Sequence, residues 1–198
     1  MPWFASCRPG TTTRSREGNT AVVVAAVVLI GAPGAGKSSV LEGLATLHDI
    51  EAVEHGALEA EQLSLGRPLL PASDWVPQLA AVLSLQRGAG RRRFLISATV
   101  GSEEDLAAVR SATAADQLLV VCLRASSETV AARIDAREPD RWPGKAPLVT
   151  RARRLASSVP RLSGIDIVIE TEHRDANDVA AEIFQEMRRR GLLERGSA

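Results

Sequence analysis

A glycine-rich segment early in the chain holds residue types that can wrap a phosphate chain. Positions 31 to 38 read GAPGAGKS, a full match to the pattern G-x-x-x-x-G-K-[ST]. A loop whose backbone N–H groups converge on one anion needs glycines, because Cβ atoms would block that approach. The positions predicted to contact the phosphates are these eight residues and the serine that follows them: Gly31, Ala32, Pro33, Gly34, Ala35, Gly36, Lys37, Ser38 and Ser39.

The last two residues of the pattern have separate predicted tasks. Lys37 is expected to reach the β- and γ-phosphates of a nucleotide, and Ser38 is expected to offer its hydroxyl to Mg²⁺. A β-branched apolar run at 22–30 precedes the loop, and apolar residues at helical spacing follow it from Val40. The helix that begins here points the positive end of its dipole at the anion.

Three arginines further along the chain are spaced to meet one phosphate chain. Arg133 and Arg137 are four residues apart and so share a helix face, and Pro139 then ends that helix in a turn that carries Arg141. Guanidinium groups neutralise the charge of a phosphoryl group during its transfer. Arg137 and Arg141 are predicted to contact the phosphates. Arg133 either joins them, lies against the nucleotide, or is a solvated surface charge paired with Glu128 or with the charges around Asp135.

The composition argues against several classes of function and partner. Lys plus Arg and Asp plus Glu number 24 each, so no basic excess predicts a nucleic acid or an anionic membrane as partner. Aromatic residues make up 3% of the chain, too few for a base-stacking platform. The apolar run at 21–30 is too short to cross a bilayer. The two cysteines, of which Cys122 lies in an apolar run, indicate a reduced thiol and a cytoplasmic location.

The elements that must position these residues alternate between strands and helices. Residues 1–20 are polar, show no sustained period and are predicted to form a disordered tail, whereas 21–198 form one domain. Apolar runs predict strands at 22–30, 50–58, 94–100, 118–123 and 165–169. Capping side chains predict the helix starts: Ser102 with Asp105, Ser126 or Ser127, and Asp175. Five strands with intervening helices predict an α/β fold whose parallel sheet is covered on both faces.

With the phosphate loop and this order of elements, residues 21–190 resemble the small P-loop kinases of the nucleoside-monophosphate kinase type. These include shikimate kinase, gluconate kinase and chloramphenicol phosphotransferase. The resemblance implies a three-layer sandwich with a five-stranded parallel sheet of order 2-3-1-4-5 and a mobile helical lid at about 138–158. It also implies ATP and Mg²⁺ as cofactors, and lid arginines that close over ATP and exclude water.

The predicted function is an ATP- and Mg²⁺-dependent phosphotransferase that acts on a small molecule. Two alternatives stay open. One is a regulatory protein that binds a nucleotide without transfer, and the other is a P-loop ATPase switch that acts on a protein partner. The third strand, at 94–100, ends without the acid of a Walker B site, which argues against an AAA-type motor ATPase.

A phosphotransferase of this kind needs a carboxylate that orients Mg²⁺ and accepts the proton of the acceptor's hydroxyl. Glu59 and Glu61 follow the second strand, where the resembling kinases carry a D-x-D or D-G-D signature, so glutamate is a departure. Glu59 is predicted to be the base and to bind the water ligands of Mg²⁺, and Glu61 to line the acceptor site. The alternative is that both carboxylates only favour the N-terminus of a short helix.

The acceptor pocket is predicted between positions 56 and 87. Arg67 and Trp75 favour a polar or anionic small molecule with a flat surface, unless Arg67 is a solvated turn residue and Trp75 fills the core. Ser97 and Thr99 either bond substrate or Mg²⁺ waters or simply close their strand. No nucleic acid or membrane is expected as partner, and the protein is expected to be a monomer or a homodimer.

Overall fold

Five parallel strands form the centre of the protein. A computed structural model describes residues 23–47, 55–64 and 71–193, and within them the sheet order is β2-β3-β1-β4-β5. The strands are β1 (Ala25–Ile30), β2 (His55–Glu59), β3 (Arg93–Ala98), β4 (Gln117–Arg124) and β5 (Ile167–Glu170). The predicted α/β fold with order 2-3-1-4-5 is confirmed.

Six helices connect and cover the strands of the described chain. They are α1 (Lys37–Leu47), α2 (Ala72–Gly88), α3 (Glu103–Thr113), α4 (Ser127–Arg137), α5 (Lys145–Ser158) and α6 (Ala176–Arg189). Short 3₁₀ turns follow β2 at Ala60–Ser64 and α5 at Val159–Arg161. No helix among the described residues is long and apolar enough to cross a membrane.

Helices on both faces of the sheet explain why the central strand is apolar throughout. All six residues of β1 are buried, and alternate side chains enter two separate cores. Leu29 packs with residues of α1 and α6 on one face. Val28 packs with residues of α2, α3, α4 and α5 on the other. Cys122 is a buried free thiol, and burial raises its pKa to about 12.

Three polar side chains begin helices where the sequence predicts them. Ser102 Oγ accepts a hydrogen bond from the backbone N–H of Asp105 at 3.1 Å, which caps α3. Ser126 caps α4, and Asp175 caps α6 by accepting from the N–H of Asn177 at 2.7 Å. Each side chain satisfies a donor that has no partner within the helix.

The region predicted as a lid consists of a turn followed by a helix. The helix α4 ends at Arg137, and the N–H of Trp142 donates to the carbonyl of Pro139 in the turn before α5. Apolar residues of α5 belong to the core under this face of the sheet. Motion of 138–158 stays a prediction, and the predicted tail at 1–20 lies outside the described residues.

Candidate active site

The phosphate loop joins β1 to α1 in a conformation that depends on glycine. Gly34 and Gly36 have φ values of 82° and 93°, which side chains rarely adopt. Gly31 is required for a second reason: a Cβ there would lie 2.6 Å from the carbonyl oxygen of Leu123. A Cβ on Gly34 would likewise lie 2.7 Å from the carbonyl oxygen of Val130. The loop is therefore packed closely against β4 and α4, which fixes its shape before any ligand binds.

Lys37 lies within this loop and is only 7% exposed. Its Nζ donates to the carbonyl oxygens of Gly31 and Ala32 at 3.2 and 3.3 Å. These carbonyls hold the ammonium group over the loop, at the start of α1, where phosphate oxygens could become its acceptors.

Two side chains from distant parts of the chain brace the loop. The hydroxyl of Thr171, at the end of β5, donates to the carbonyl of Ala35 at 3.0 Å. Arg133 donates from one terminal nitrogen to the carbonyl of Gly34 at 3.2 Å and from the other to the carbonyl of Thr171 at 2.8 Å. Arg133 is half-buried and bonded to the loop, so it is not the surface partner of Glu128 that the sequence left as one alternative.

Glu172 ties the loop after β5 to the first turn of α4. Its carboxylate accepts hydrogen bonds from the hydroxyls of Thr129 and Ser126. These two bonds lower the pKa of Glu172 below its ordinary value. The helix that carries Arg133 is thereby anchored beside the phosphate loop.

A cavity of about 510 Å³ opens over the phosphate loop. That volume suits a small-molecule site. Four segments line it: Pro33, Gly34, Gly36, Lys37, Ser38 and Ser39 from the loop; Glu59 and Gln62 from the end of β2 and the turn after it; Thr99 from the end of β3; and Arg137, Glu138, Trp142 and Leu148 from the end of α4, the following turn and α5. The fold thus brings together Lys37, Ser38, Glu59 and Arg137, which are far apart in the sequence.

Glu59 is the last residue of β2 and is half-buried, and it accepts a hydrogen bond from Gln62 Nε2 at 3.1 Å. In the sheet register it lies beside Ser97, which in turn lies beside Leu29 of β1. Ser97 is fully buried, and its hydroxyl has no hydrogen-bond partner among the described residues. A buried hydroxyl without a protein partner is costly, which favours an additional polar group, such as a water molecule, next to Glu59.

The side-chain oxygens at this cavity suit a Mg²⁺ ion that is already bound to the phosphates of a nucleotide. Hydroxyl and carboxylate oxygens are the ligands that Mg²⁺ prefers, and Ser38 and Glu59 supply one of each at the same cavity. Within the described ranges, no three His, Cys, Asp or Glu side chains are placed to hold a metal ion by themselves. The residues therefore suit an ion that is completed by nucleotide phosphates and water rather than a dedicated protein cage.

The remaining predicted residues lie in different surroundings. Arg137 is 60% exposed, and its Nε donates to Oε1 of Glu138 at 2.7 Å. Arg141 is exposed on the turn before α5 and is not among the residues that line the cavity. Glu61 lies in the 3₁₀ turn after Glu59, and its side chain is outside the described part of the chain.

The two residues predicted to shape the acceptor pocket have different outcomes. Arg67 lies outside the described residues, so its role stays a prediction. Trp75 is only 6% exposed and belongs to the core under α2. Of the two alternatives for Trp75, the core is therefore correct, because its indole fills the layer between α2 and the sheet.

Sequence reasoning did not single out Gln62, Glu138 or Leu148 as parts of the site, and it did not predict the contact between Thr171 and the phosphate loop. Gln62 follows Glu59 by three residues and contacts it across one turn, a spacing that could have been noticed. Thr171 bonds a loop residue 136 positions away, and no local pattern indicates such a contact.

The fold and the loop together define a class of protein. A parallel sheet of order 2-3-1-4-5 with a glycine-rich phosphate loop between its first strand and helix is that of the P-loop nucleotide-binding α/β proteins. A family model described as an AAA domain matches residues 27–158, about two thirds of the chain. The chain belongs to this family, and the solved structures that share its fold include small P-loop kinases.

Solved kinases share the fold over most of their length. Shikimate kinase from Acinetobacter baumannii, in complex with shikimate, is 19% identical with a TM-score of 0.58, covering 85% of this chain and 96% of its own. A gluconokinase from Sinorhizobium meliloti is 24% identical with a TM-score of 0.55, covering 85% and 98%. APS kinase from Mycobacterium tuberculosis, in complex with AMPPNP and APS, is 17% identical with a TM-score of 0.60, covering 84% and 99%. No curated protein sequence gives a significant match.

Proposed function

We propose that the protein is an ATP- and Mg²⁺-dependent phosphotransferase that moves the γ-phosphoryl group of ATP to a hydroxyl of a small molecule. The observation that carries the proposal is that the phosphate loop, Glu59 and Arg137 line one cavity. A nucleotide site alone would need only the loop. A carboxylate and a guanidinium at the same cavity add the base and the charge that phosphoryl transfer requires.

On the nucleotide side, the loop would bind and orient the phosphates. Its backbone N–H groups and the N-terminus of α1 favour negative charge, and Lys37 would exchange its carbonyl partners for phosphate oxygens. Mg²⁺, bound with the nucleotide beside Ser38 and Glu59, would neutralise charge on the phosphate oxygens. The AMPPNP bound by APS kinase supports ATP as the nucleotide.

On the acceptor side, Glu59 would take the proton as the hydroxyl oxygen attacks the γ-phosphorus. The hydroxyl oxygen forms a bond to phosphorus, the bond from phosphorus to the β,γ-bridging oxygen breaks, and ADP leaves with that electron pair. Gln62 donates to Glu59 Oε2 and so fixes the orientation of the carboxylate. Arg137 would stabilise the transferred group after leaving its contact with Glu138.

The substitution Glu59→Gln tests this proposal. Glutamine keeps the shape and one acceptor oxygen but cannot take a proton, so ATP binding should persist while transfer is lost. Binding is measured by calorimetry with a non-hydrolysable ATP analogue and Mg²⁺, and transfer by ADP release with a panel of hydroxylated metabolites and antibiotics. The matched control is Glu170→Gln, because Glu170 also ends an edge strand of the sheet and lies outside the cavity lining.

Three results would contradict the proposal. If Glu59→Gln transfers phosphate at the wild-type rate, Glu59 is not the base. Steady release of inorganic phosphate without an acceptor would indicate a hydrolytic switch, and tight nucleotide binding without turnover in the wild-type protein would indicate a regulator.

A further inference from the structure

We infer that the acceptor is an alcohol without a carboxylate, phosphate or sulfate group, and that an apolar face of it packs against Trp142. The inference rests on the proposed function and names the substrate class of the same cavity. It follows from the charge of the cavity wall outside the phosphate loop and from the packing of the Trp142 ring.

The described wall outside the loop carries more negative than positive charge. It holds the carboxylates of Glu59 and Glu138 and one cation, Arg137. Both Nε and Nη2 of Arg137 contact Oε1 of Glu138 at 2.7 Å, so an anionic acceptor would compete with this carboxylate for the guanidinium. The Glu138 side chain is 22% exposed and that of Arg137 is 60% exposed, so the carboxylate is the more enclosed of the two groups.

An anionic acceptor would meet repulsion from several sides in this cavity. The two carboxylates of the described wall repel an added negative charge, and the triphosphate adds to this by whatever charge Lys37 and Mg²⁺ leave uncompensated. Coulomb repulsion is screened less in a partly enclosed site than in bulk water. An uncharged or cationic alcohol meets no such cost, and a cation would be attracted.

The remaining wall is apolar and includes a fixed aromatic ring. Trp142 is half-buried, packs against the core that contains Leu148, and lines the cavity. A Cβ on Gly144 would lie 2.6 Å from Cε2 and 2.9 Å from Cη2 of the Trp142 indole. The φ of Gly144 is −78°, which any residue can adopt, so glycine is needed here for the space that the ring occupies.

The packing of this ring gives the acceptor a flat apolar surface in the cavity that Glu59 also lines. Aromatic faces pack against the apolar faces of rings and sugars and attract cations. Trp142 therefore favours an acceptor with an apolar face, and its ring would attract a cation as the charge of the wall does.

The first experiment compares polyhydroxylated six-carbon compounds that differ in charge. The full-length protein with ATP and Mg²⁺ is offered D-glucose, D-glucosamine and D-gluconate, together with a wider alcohol panel sorted into uncharged, cationic and anionic sets. Phosphorylated products are identified by mass spectrometry. We expect the highest kcat/KM in the uncharged or cationic sets and the lowest in the anionic set.

The outcomes separate the inference from the proposed function. An anionic acceptor with the highest kcat/KM would overturn the inference while supporting the kinase, and loss of that activity in Arg67→Ala would assign the anion to Arg67. No product from any set, with ATP bound, would contradict the proposed function, and the inference would fall with it.

A second experiment tests the ring with the best acceptor of the panel. Gly144→Ala should displace the indole and raise the KM for the acceptor by about tenfold, with the KM for ATP unchanged. Trp142→Leu should do the same if it folds. Gly88→Ala is the control, because a Cβ there meets nothing within 4 Å. An unchanged acceptor KM in Gly144→Ala would overturn the contact with Trp142.

A third experiment tests the charge of the wall. Glu138→Gln should raise kcat/KM for gluconate relative to glucose, because it removes a negative charge and frees Arg137. The control Glu182→Gln removes a glutamate that also pairs with an arginine, Arg174, at 2.8 Å but lies on α6 outside the cavity lining. An unchanged ratio in Glu138→Gln would count against the role of this charge.

Discussion

The ammonium group of Lys37 already donates to two carbonyl oxygens of the loop in which it lies. The side chain is only 7% exposed, so it is mostly enclosed before any phosphate binds. Its partners are backbone atoms at the rim of a cavity, so water can replace the ammonium group if the side chain is removed. The residue therefore matters more for binding phosphate than for holding the fold.

We accordingly expect Lys37→Ala to weaken ATP binding without unfolding the protein. Loss of a charge-assisted contact to phosphate should raise the Kd for ATP by roughly tenfold to a hundredfold. Calorimetry with a non-hydrolysable analogue measures this, thermal unfolding checks the fold, and Arg188→Ala on the exposed side of α6 is the charge control. Unchanged ATP binding and a wild-type transfer rate would contradict the role of the loop.

The two arginines that are predicted to act from the lid, Arg137 and Arg141, have different surroundings in the structure. Arg137 lines the cavity, whereas Arg141 is exposed and lies outside the lining. We expect Arg137→Ala and Arg141→Ala each to lower kcat by roughly two to four orders of magnitude with smaller changes in ATP affinity, because their charge acts mainly in the transition state. Steady-state kinetics measures this. Unchanged turnover in both variants would make them ordinary surface charges.

At the scale of elements, local patterns predict most of the fold. The apolar runs of β1, β3 and β4 and the capping residues Ser102 and Asp175 are local signals, and each predicted its element. The bracing of the phosphate loop is different, because Thr171 and Arg133 reach it from segments that only the tertiary fold brings near. Periodicity and capping carry no information about such contacts.

Glu172 joins α4 to the loop after β5, and the stability that its hydrogen bonds contribute should depend on pH. Hydrogen bonds from Thr129 and Ser126 lower the folded-state pKa of Glu172 below its ordinary value of 4.5. Their stabilisation is therefore fully present above that ordinary value and is lost as the pH falls through the lowered pKa. We expect Glu172→Gln to be less stable than wild type at neutral pH, and the difference to shrink at acidic pH.

Urea unfolding across this pH range measures the difference. If the free energies of unfolding of wild type and Glu172→Gln differ by the same amount down to strongly acidic pH, the hydrogen bonds of Glu172 do not stabilise this contact.

At the scale of the whole molecule, the order of the strands decides where the chemistry is possible. Parallel strands place their carboxyl ends at one edge, so the loop after β1, Glu59 at the end of β2 and Thr99 beyond β3 come to one cavity. The sequence could predict this meeting point because it follows from topology. It could not predict the acceptor, because the walls formed by Gln62, Glu138 and Trp142 depend on how the 3₁₀ turn after β2 and the turn between α4 and α5 pack.

The central claim is that the cavity transfers a phosphoryl group to an alcohol, and ³¹P NMR of the full-length protein tests it most directly. ATP, Mg²⁺ and the hydroxylated panel are incubated with wild type and with Glu59→Gln. The account predicts that wild type converts the γ-phosphate signal into a new phosphomonoester signal with equal formation of ADP, and that Glu59→Gln does not. Inorganic phosphate as the only new signal, or an unchanged spectrum with ATP bound, would contradict it.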